Sequence, residues 1–363
     1  MKPLSAVTYV RENKGRAGIA IFLLFLTTLL YLAGNYVDSI YYYWDRAMDY
    51  SDQLCVVSWT SADVDGQDFN DYRKILEADE KLIVQGKSGR GYRGLPWICT
   101  MGFEMGSSSM VFNSPEDLRE AFDVFGIEAD LSDVTDQSVC ISSALAKQYG
   151  LKKGDVLDAS VQEGIEGSYV ISAVLEDDSF IVFYVDHSVA EYRLNVLSRE
   201  LKGEELRDYL DKLRGDRKVH LDQTVRSGVN EEFEPFFYIF GAGIVLLSLV
   251  LSVIVNSVIT GQYVARTYEF GVYRAIGISK REIYGKCARE ILLMDLIAIL
   301  CGAVICFLFT FLANELYYLP AGRYLPYGSK IGLYGFVASN LLVVVPTILL
   351  KGKSMSRADV TEF

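Results

Sequence analysis

Gly86, Lys87 and Ser88 follow the apolar run Leu82-Ile83-Val84. They have the ending of a phosphate-binding loop, in which backbone amides and a lysine hold nucleotide phosphates. The first glycine of such a loop would stand at position 81, which is Lys81, so nucleotide binding by this chain is not expected. Asp63, Asp65 and Asp68 around Gly66 have the spacing of the opening of a calcium loop, but its twelfth position is Lys74 where a bidentate glutamate belongs. A solvated acidic turn is the expectation. The two histidines, His187 and His220, have no ligand-spaced partner, and the adjacency of Asp186, His187 and Ser188 in sequence does not make a spatial triad. Three of the six cysteines, Cys55, Cys99 and Cys140, fall in one aqueous segment and allow at most one disulfide there, while Cys287, Cys301 and Cys306 fall in or beside an apolar run. Neither a hydrolase centre nor a metal site is expected.

The elements that position the remaining charged residues are apolar. Phe236 to Ile259 holds no ionisable side chain, and Ile291 to Ala313 holds only Asp295. Each is long enough to cross the roughly 30 Å hydrocarbon core of a bilayer. Between them, Thr260 to Arg289 carries Arg266, Arg274, Lys280, Arg281, Lys286 and Arg289 against Glu269 and Glu282, with Glu290 next. The cationic excess places this loop in the cytoplasm. Gly277 is a left-handed helix stop, and Ser279 with Glu282 is a capping box, which predicts two short helices meeting at a corner. Tyr268, Val272 and Ile276 form an apolar stripe at helical spacing beside Tyr273, and Glu269 and Arg274 are expected on the opposite, partner-facing side.

The run Arg266-Thr-Tyr-Glu-Phe-Gly-Val-Tyr-Arg-Ala-Ile-Gly-Ile-Ser279, with Glu290-Ile-Leu-Leu after it, resembles the cytoplasmic loop of FtsX-like permeases, the MacB-type membrane subunits of ABC transporters. The matching positions are Arg266, Glu269, Gly271, Arg274, Ala275, Gly277 and Ser279. The resemblance implies that these residues couple the chain to a separate cytoplasmic ATPase subunit, with ATP bound at that partner and no cofactor on this chain. Ser142-Ser-Ala-Leu-Ala, Gly150-Leu, Lys153-Gly-Asp-Val-Leu and Tyr169-Val-Ile look like the extracytoplasmic domain of the same permeases. Residues 50–136 align with nothing known.

In chain order, residues 1–16 are cationic and expected inside, with Leu4, Val7, Tyr9 and Val10 suggesting a short amphipathic helix on the inner leaflet. Residues 17–37 form the first span, read as an uncleaved anchor because the apolar run exceeds a signal-peptide core. Tyr41, Tyr42, Tyr43 and Trp44 would be an interfacial aromatic belt. Residues 38–235 form an α/β domain outside the membrane. Its predicted elements include a strand from Gln53, a helix from Asp68, a helix capped by Ser114 with Pro115 at its first position, strand–helix–hairpin over 139–176 with turns at Gly154-Asp155 and Gly164–Gly167, and a helix over 203–213. Residues 236–259, 291–313 and 331–350 are spans two to four, with the loop at 260–290, a short outer loop at 314–330 and a cytoplasmic tail at 351–363. The fold class is thus four transmembrane α-helices with a large extracytoplasmic α/β domain between the first two.

Charge follows this division. From Asp38 to Glu234 there are 39 acidic and 20 basic residues, while the rest of the chain has 8 and 15. Glu290 and Asp295 lie close to the inner boundary of the third span, where pairing with Arg289 or water is expected. Gly241 and Gly243 are candidate dimer contacts with a second permease copy or a paralogue, because small residues permit close helix packing. Membrane lipid is an expected partner, nucleic acid is not. The resemblance implies a bacterial cell-membrane permease that exports, or confers resistance to, a peptide or amphipathic compound. The alternative is a membrane receptor, or a regulator of a cell-envelope enzyme or signalling partner, that works without ATP.

Overall fold

A computed structural model describes residues 5–63, 65–88, 94–102, 104–163, 165–177, 179–187, 189–223 and 226–357. Leu4, Gly164, Ser188 and the end of the 351–363 tail lie outside the described residues. Helices α1 (Ala6–Glu12), α2 (Lys14–Ser51), α3 (Gln67–Glu77), α4 (Pro115–Phe125), α5 (Ser143–Tyr149), α6 (Gly203–Arg214), α7 (Arg226–Val264), α8 (Thr267–Ala275), α9 (Lys280–Ala313) and α10 (Lys330–Arg357) alternate with eleven strands. The strands are β1 (Leu54–Trp59), β2 (Ile83–Ser88), β3 (Pro96–Ile98), β4 (Glu104–Gly106), β5 (Ser108–Phe112), β6 (Ser138–Ser142), β7 (Val156–Leu157), β8 (Tyr169–Leu175), β9 (Ile181–Val185), β10 (Val189–Leu197) and β11 (Val219–Asp222). Two compact units result, one of residues 1–38, 235–313 and 325–363, the other of residues 39–234 and 314–324.

Four helices in the described residues are long and apolar enough to cross a membrane: Lys14–Ser51, Phe237–Val264, Lys280–Ala321 and Lys330–Lys351. Each runs past the bounds that hydropathy sets, because charged and aromatic residues continue a helix as readily as apolar ones once the backbone ladder is started. The second helix of the predicted corner is accordingly not short; α9 begins at Lys280 and continues unbroken through the third apolar run. The loop assigned to 314–330 opens with a π-turn, Asn314–Tyr318, and a 3-10 turn, Leu319–Ala321.

Close helix packing falls at glycines other than the expected pair. A Cβ on Gly34 of α2 would lie 2.2 Å from Gly332 Cα of α10, and one on Gly302 of α9 would lie 2.1 Å from Thr28 Oγ1 of α2. At Gly34 the opposing backbone admits no side chain, and at Gly302 the Thr28 side chain takes the place a Cβ would need, as in small-residue crossings of membrane helices. Around Gly241 and Gly243 a Cβ would meet nothing within 4 Å, so within one chain these two pack against no neighbour.

The second unit holds a four-stranded antiparallel sheet of order β11-β1-β10-β2 and a five-stranded mixed sheet of order β5-β9-β6-β8-β7. Helices α3 and α6 bury Phe69, Tyr72, Leu76, Leu206 and Leu210 against the first sheet. Helix α4 buries Leu118, Ala121 and Phe122 against the second. Ser114 Oγ accepts from Asp117 N at 3.1 Å and caps α4 as expected. The first aspartate of the calcium-like run is a helix cap, since Asp63 accepts from Phe69 N at 3.0 Å and from Asp68 N at 3.3 Å at the start of α3. Gly86 to Ser88 lie in the extended strand β2, without the glycine loop and helix that a phosphate-binding motif needs. Asp155 closes its turn backwards, accepting from Lys152 N at 2.7 Å, rather than bonding the residues after it.

The aromatic run after the first span is not an interfacial belt at its centre. Tyr43 is buried, edge-on to Phe180 at 4.7 Å and to Trp97 at 5.1 Å, and those two rings stack at 4.0 Å. Each such pair adds roughly 0.5–1.5 kcal/mol beyond its area burial, which outweighs a place among headgroups. None of the six cysteines is in a disulfide, and Cys55, Cys99 and Cys140 are buried.

The glycine crossings carry a direct expectation. Gly34→Ala should destabilise the detergent-solubilised chain by at least the roughly 1–3 kcal/mol that overpacking costs, read as a lowered unfolding midpoint. Gly241→Ala should leave that midpoint within error, and equal behaviour of the two variants would refute the close crossing.

Candidate functional site

The charged loop folds about one buried arginine. Helix α7 ends at Val264, α8 runs from Thr267 to Ala275, and Gly277 turns the chain at φ 93° into α9. Only glycine holds that angle without strain. The predicted capping box is present: Ser279 N donates to Glu282 Oε2 at 2.9 Å, and Glu282 N donates back to Ser279 Oγ at 3.3 Å. The corner is therefore fixed by backbone chemistry.

Arg266 sits between the three helices. Its Nε donates to Glu269 Oε2 at 2.8 Å and its Nη2 to Glu269 Oε1 at 3.1 Å, a bidentate clamp inside the loop. Its Nη1 reaches Glu290 Oε2 on α9 at 2.8 Å, and Nη2 reaches Glu290 Oε1 at 3.3 Å. Glu290 is 0% exposed and also accepts from Tyr263 Oη at 3.0 Å. Lys286 Nζ lies 3.3 Å from Glu290 and 3.7 Å from Glu269, so two cations face two carboxylates. Tyr273 Oη donates to Glu269 Oε1 at 2.8 Å.

The N-terminal helix covers this cluster. The Arg266 guanidinium stands 4.2 Å from the centre of the Tyr9 ring and 5.0 Å from that of Phe270, in cation–π geometry. Tyr9 Oη donates to Gln262 Oε1 at 3.2 Å, and Gln262 Nε2 donates to Arg16 O at 2.7 Å. Tyr9 is thus a core residue of the helix cluster, where an amphipathic helix on the lipid surface was expected.

Electrostatics follow from the packing. Burial opposes ionisation of Glu269, yet the Arg266 hydrogen bonds and charge hold its carboxyl below the usual carboxylate range. Burial likewise opposes the charge on Arg266, but bonds to Glu269 and Glu290 raise its pKa. Burial and the bond to Glu269 push the Tyr273 hydroxyl up to about 12. A carboxyl depressed in the folded state contributes stability at neutral pH and loses it as pH falls through the lowered value. Arg266 and Glu269 are hence charged, and Tyr273 neutral, at neutral pH.

The structure divides the expected coupling residues. Arg266 and Gly271 are buried, Arg274 is half-buried, and Glu269 points inward to Arg266 rather than to a partner. Ala275, Gly277 and Ser279 are exposed. The apolar stripe is the outward face instead, with Tyr268 at 72%, Val272 at 42% and Ile276 at 68% exposure. Side-chain spacing gave the stripe but not its direction, since a buried ion cluster on the other face reverses the usual rule that apolar residues turn in. Sequence reading missed Tyr9, Tyr263, Lys286 and Glu290 as members of the site; the signal for Glu290 was a carboxylate within an apolar helix. Asp295 pairs with Asn340 Nδ2 of α10 at 2.9 Å, and Arg289 bonds Gly285 O at 3.0 Å instead of either acid. His187 lies 3.3 Å from Asn113 O, and no cluster of three metal-binding side chains occurs among the described residues.

Removing one partner of a buried ion pair leaves the other uncompensated and costs roughly 3–5 kcal/mol. Arg266→Met should therefore lower the unfolding midpoint in detergent by several degrees. Arg266→Met combined with Glu290→Leu should recover part of that loss, and a double variant no better than the single one would show that the pair is not the unit.

Residues 241–355, which include α8 and the whole corner, match the FtsX-like permease C-terminal family. No curated protein matches the chain.

Proposed function

Because the chain belongs to the FtsX-like permease family through residues 241–355, an ABC-transporter-type permease subunit, we propose that α8 is the element on which a separate cytoplasmic ATPase subunit acts. The observation that carries this reading is the outward apolar stripe Tyr268, Val272 and Ile276 along the nine-residue α8 and its C-cap, which Arg266 clamps to α9. A short helix with an apolar ridge fits a groove on a partner. Force applied to α8 would pass through Arg266 to Glu290 and so to α9.

In this reading the chain binds no nucleotide; ATP is hydrolysed by the partner. Both termini and α8 lie in the cytoplasm, and the α/β domain lies outside, in keeping with 15 basic and 8 acidic residues beyond Asp38–Glu234. The strand–helix–hairpin from β6 to β8 is consistent with a MacB-type extracytoplasmic domain. The motion works that domain mechanically, in export of, or resistance to, a peptide or amphipathic compound. The domain's acidity favours a cationic cargo by long-range attraction. Gly241, Gly243, Leu246 and Val253 of α7 are open to lipid or to a second permease copy or paralogue.

Ile276→Asp tests the reading. The residue is exposed, and surface changes shift stability by no more than roughly 0.5 kcal/mol, so folding should be retained. Purified from its own cells in mild detergent, the wild-type chain should bring an ATPase subunit with it, and the variant should lose at least nine-tenths of it. Equal recovery from both, or no ATPase from either, would overturn the assignment.

A further inference from the structure

A cavity of about 180 Å³ in the α/β unit is lined by Tyr42 and Tyr43 of α2, Ser143 and Lys147 of α5, and Arg323 and Tyr324 of the connection to α10. No carboxylate lines it. Its sign opposes that of its surroundings, where acids outnumber bases by 39 to 20 over Asp38–Glu234. Lys147 and Arg323 make no ion pair with any described residue. Arg323 Nε is buried and has no hydrogen-bond partner. A buried guanidinium donor without an acceptor is costly, and two cations gathered into one cavity repel unless an anion lies between them.

The backbone is built to bring them together. Gly322 has φ 68°, and a Cβ there would lie 2.2 Å from Ala144 O and 3.2 Å from Lys147 Cβ. The turn Leu319–Ala321 is thereby seated directly on α5. Arg323 N donates to Tyr318 O at 2.8 Å, and Tyr43 Oη bonds both the N–H and the carbonyl of Tyr324, the latter at 3.1 Å. Both walls are therefore held in place before any ligand arrives.

We propose that this cavity binds a terminal phosphate, carried on a phosphomonoester or free. A guanidinium and an ammonium supply the forked and point-charge donors that a tetrahedral dianion accepts. A carboxylate can bridge an arginine and a lysine, as Glu290 does, but it brings one charge to two cations where a phosphate brings up to two. The phosphate has two possible sources: a lipid headgroup or free phosphate. The site does not depend on which subunit meets α8.

Native mass spectrometry of the full chain in neutral detergent tests this, with dioleoyl phosphatidic acid and dioleoylglycerol as probes that share acyl chains and differ in the phosphate. Inorganic phosphate is the competitor, with its effect on the unfolding midpoint read alongside. The wild-type chain should hold phosphatidic acid at least tenfold tighter than dioleoylglycerol. Lys147→Gln and Arg323→Gln should each weaken it about tenfold, the loss of one charge-assisted bond, and Lys202→Gln should not. Lys147 is exposed, so its variant keeps the test valid even where Arg323→Gln fails to fold. Millimolar phosphate that displaces the lipid, or alone raises the midpoint in a Lys147-dependent way, assigns the site to free phosphate; lipid binding without competition assigns it to a headgroup. Equal binding of the two lipids with no effect of phosphate, or binding unchanged in Lys147→Gln, overturns the proposal.

Discussion

The helical unit depends on one carboxylate that has no water. Glu290 is fully buried within α9, and its charge is met by Arg266 from the α7–α8 corner, by Lys286 one turn earlier and by the Tyr263 hydroxyl. An ion of this size loses several kcal/mol of hydration on burial, and its partners return that only when geometry is good. Such a pair adds little net stability over an apolar replacement, but it tolerates very few arrangements. The cluster therefore specifies where α8 stands more than it strengthens the fold. Arg266 meets Glu269 and Glu290 with four donor contacts, so α8 has no second position that keeps both acids satisfied.

Glycine sets the other constraint. The Gly34–Gly332 crossing brings α2 against α10 at backbone distance, and the Thr28 side chain of α2 fills the space that Gly302 leaves on α9. Lipid tails are as apolar as leucine, so helix association gains from such close packing rather than from water exclusion. Helix α7 has no such crossing at Gly241 or Gly243, and its exposed side chains, from Tyr238 to Val253, face away from the other helices. Within this unit α2, α9 and α10 form the packed part, and α7 is tied to it most firmly at its end, through Tyr263 and Gln262.

Local chemistry was legible in the sequence wherever it was sufficient. Ser114 and Pro115 began α4, Ser279 and Glu282 capped α9, and Gly277 stopped the helix before it. Hydropathy found four membrane-length helices but not their ends, since Lys14 and Asp49 sit in the same helix as the apolar run. The α/β domain was hardest to read in its first half, and the sheet explains why. Strand β1 pairs with β10 and β11, β2 with β10, and β5 runs parallel to β9, so apart from the short β3–β4 pair the described strands of the first half find their partners in the second. Pairings as distant as Ser108 with Ile181 and Leu54 with Leu197 leave no local spacing to detect. The site was half legible: motif residues marked the corner, while the partners Tyr9 and Glu290 lay on elements whose proximity only packing creates.

The tyrosine over Arg266 has a consequence for how the corner works. Tyr9 lies on α1, seven residues long and ended at Asn13, so by itself α1 is too short to persist as a helix in water. It holds because Tyr9 is buried between the guanidinium and the α7 end, bonded to Gln262, which in turn holds the Arg16 carbonyl at the start of α2. The start of the first span, the end of the second and the start of the third thus converge on one guanidinium. A displacement of α8 that kept its bonds would carry α9 through Glu290 and α2 through Tyr9 and Gln262. A displacement that broke them would strand a buried charge, so the three helix ends move together at lower cost than they come apart.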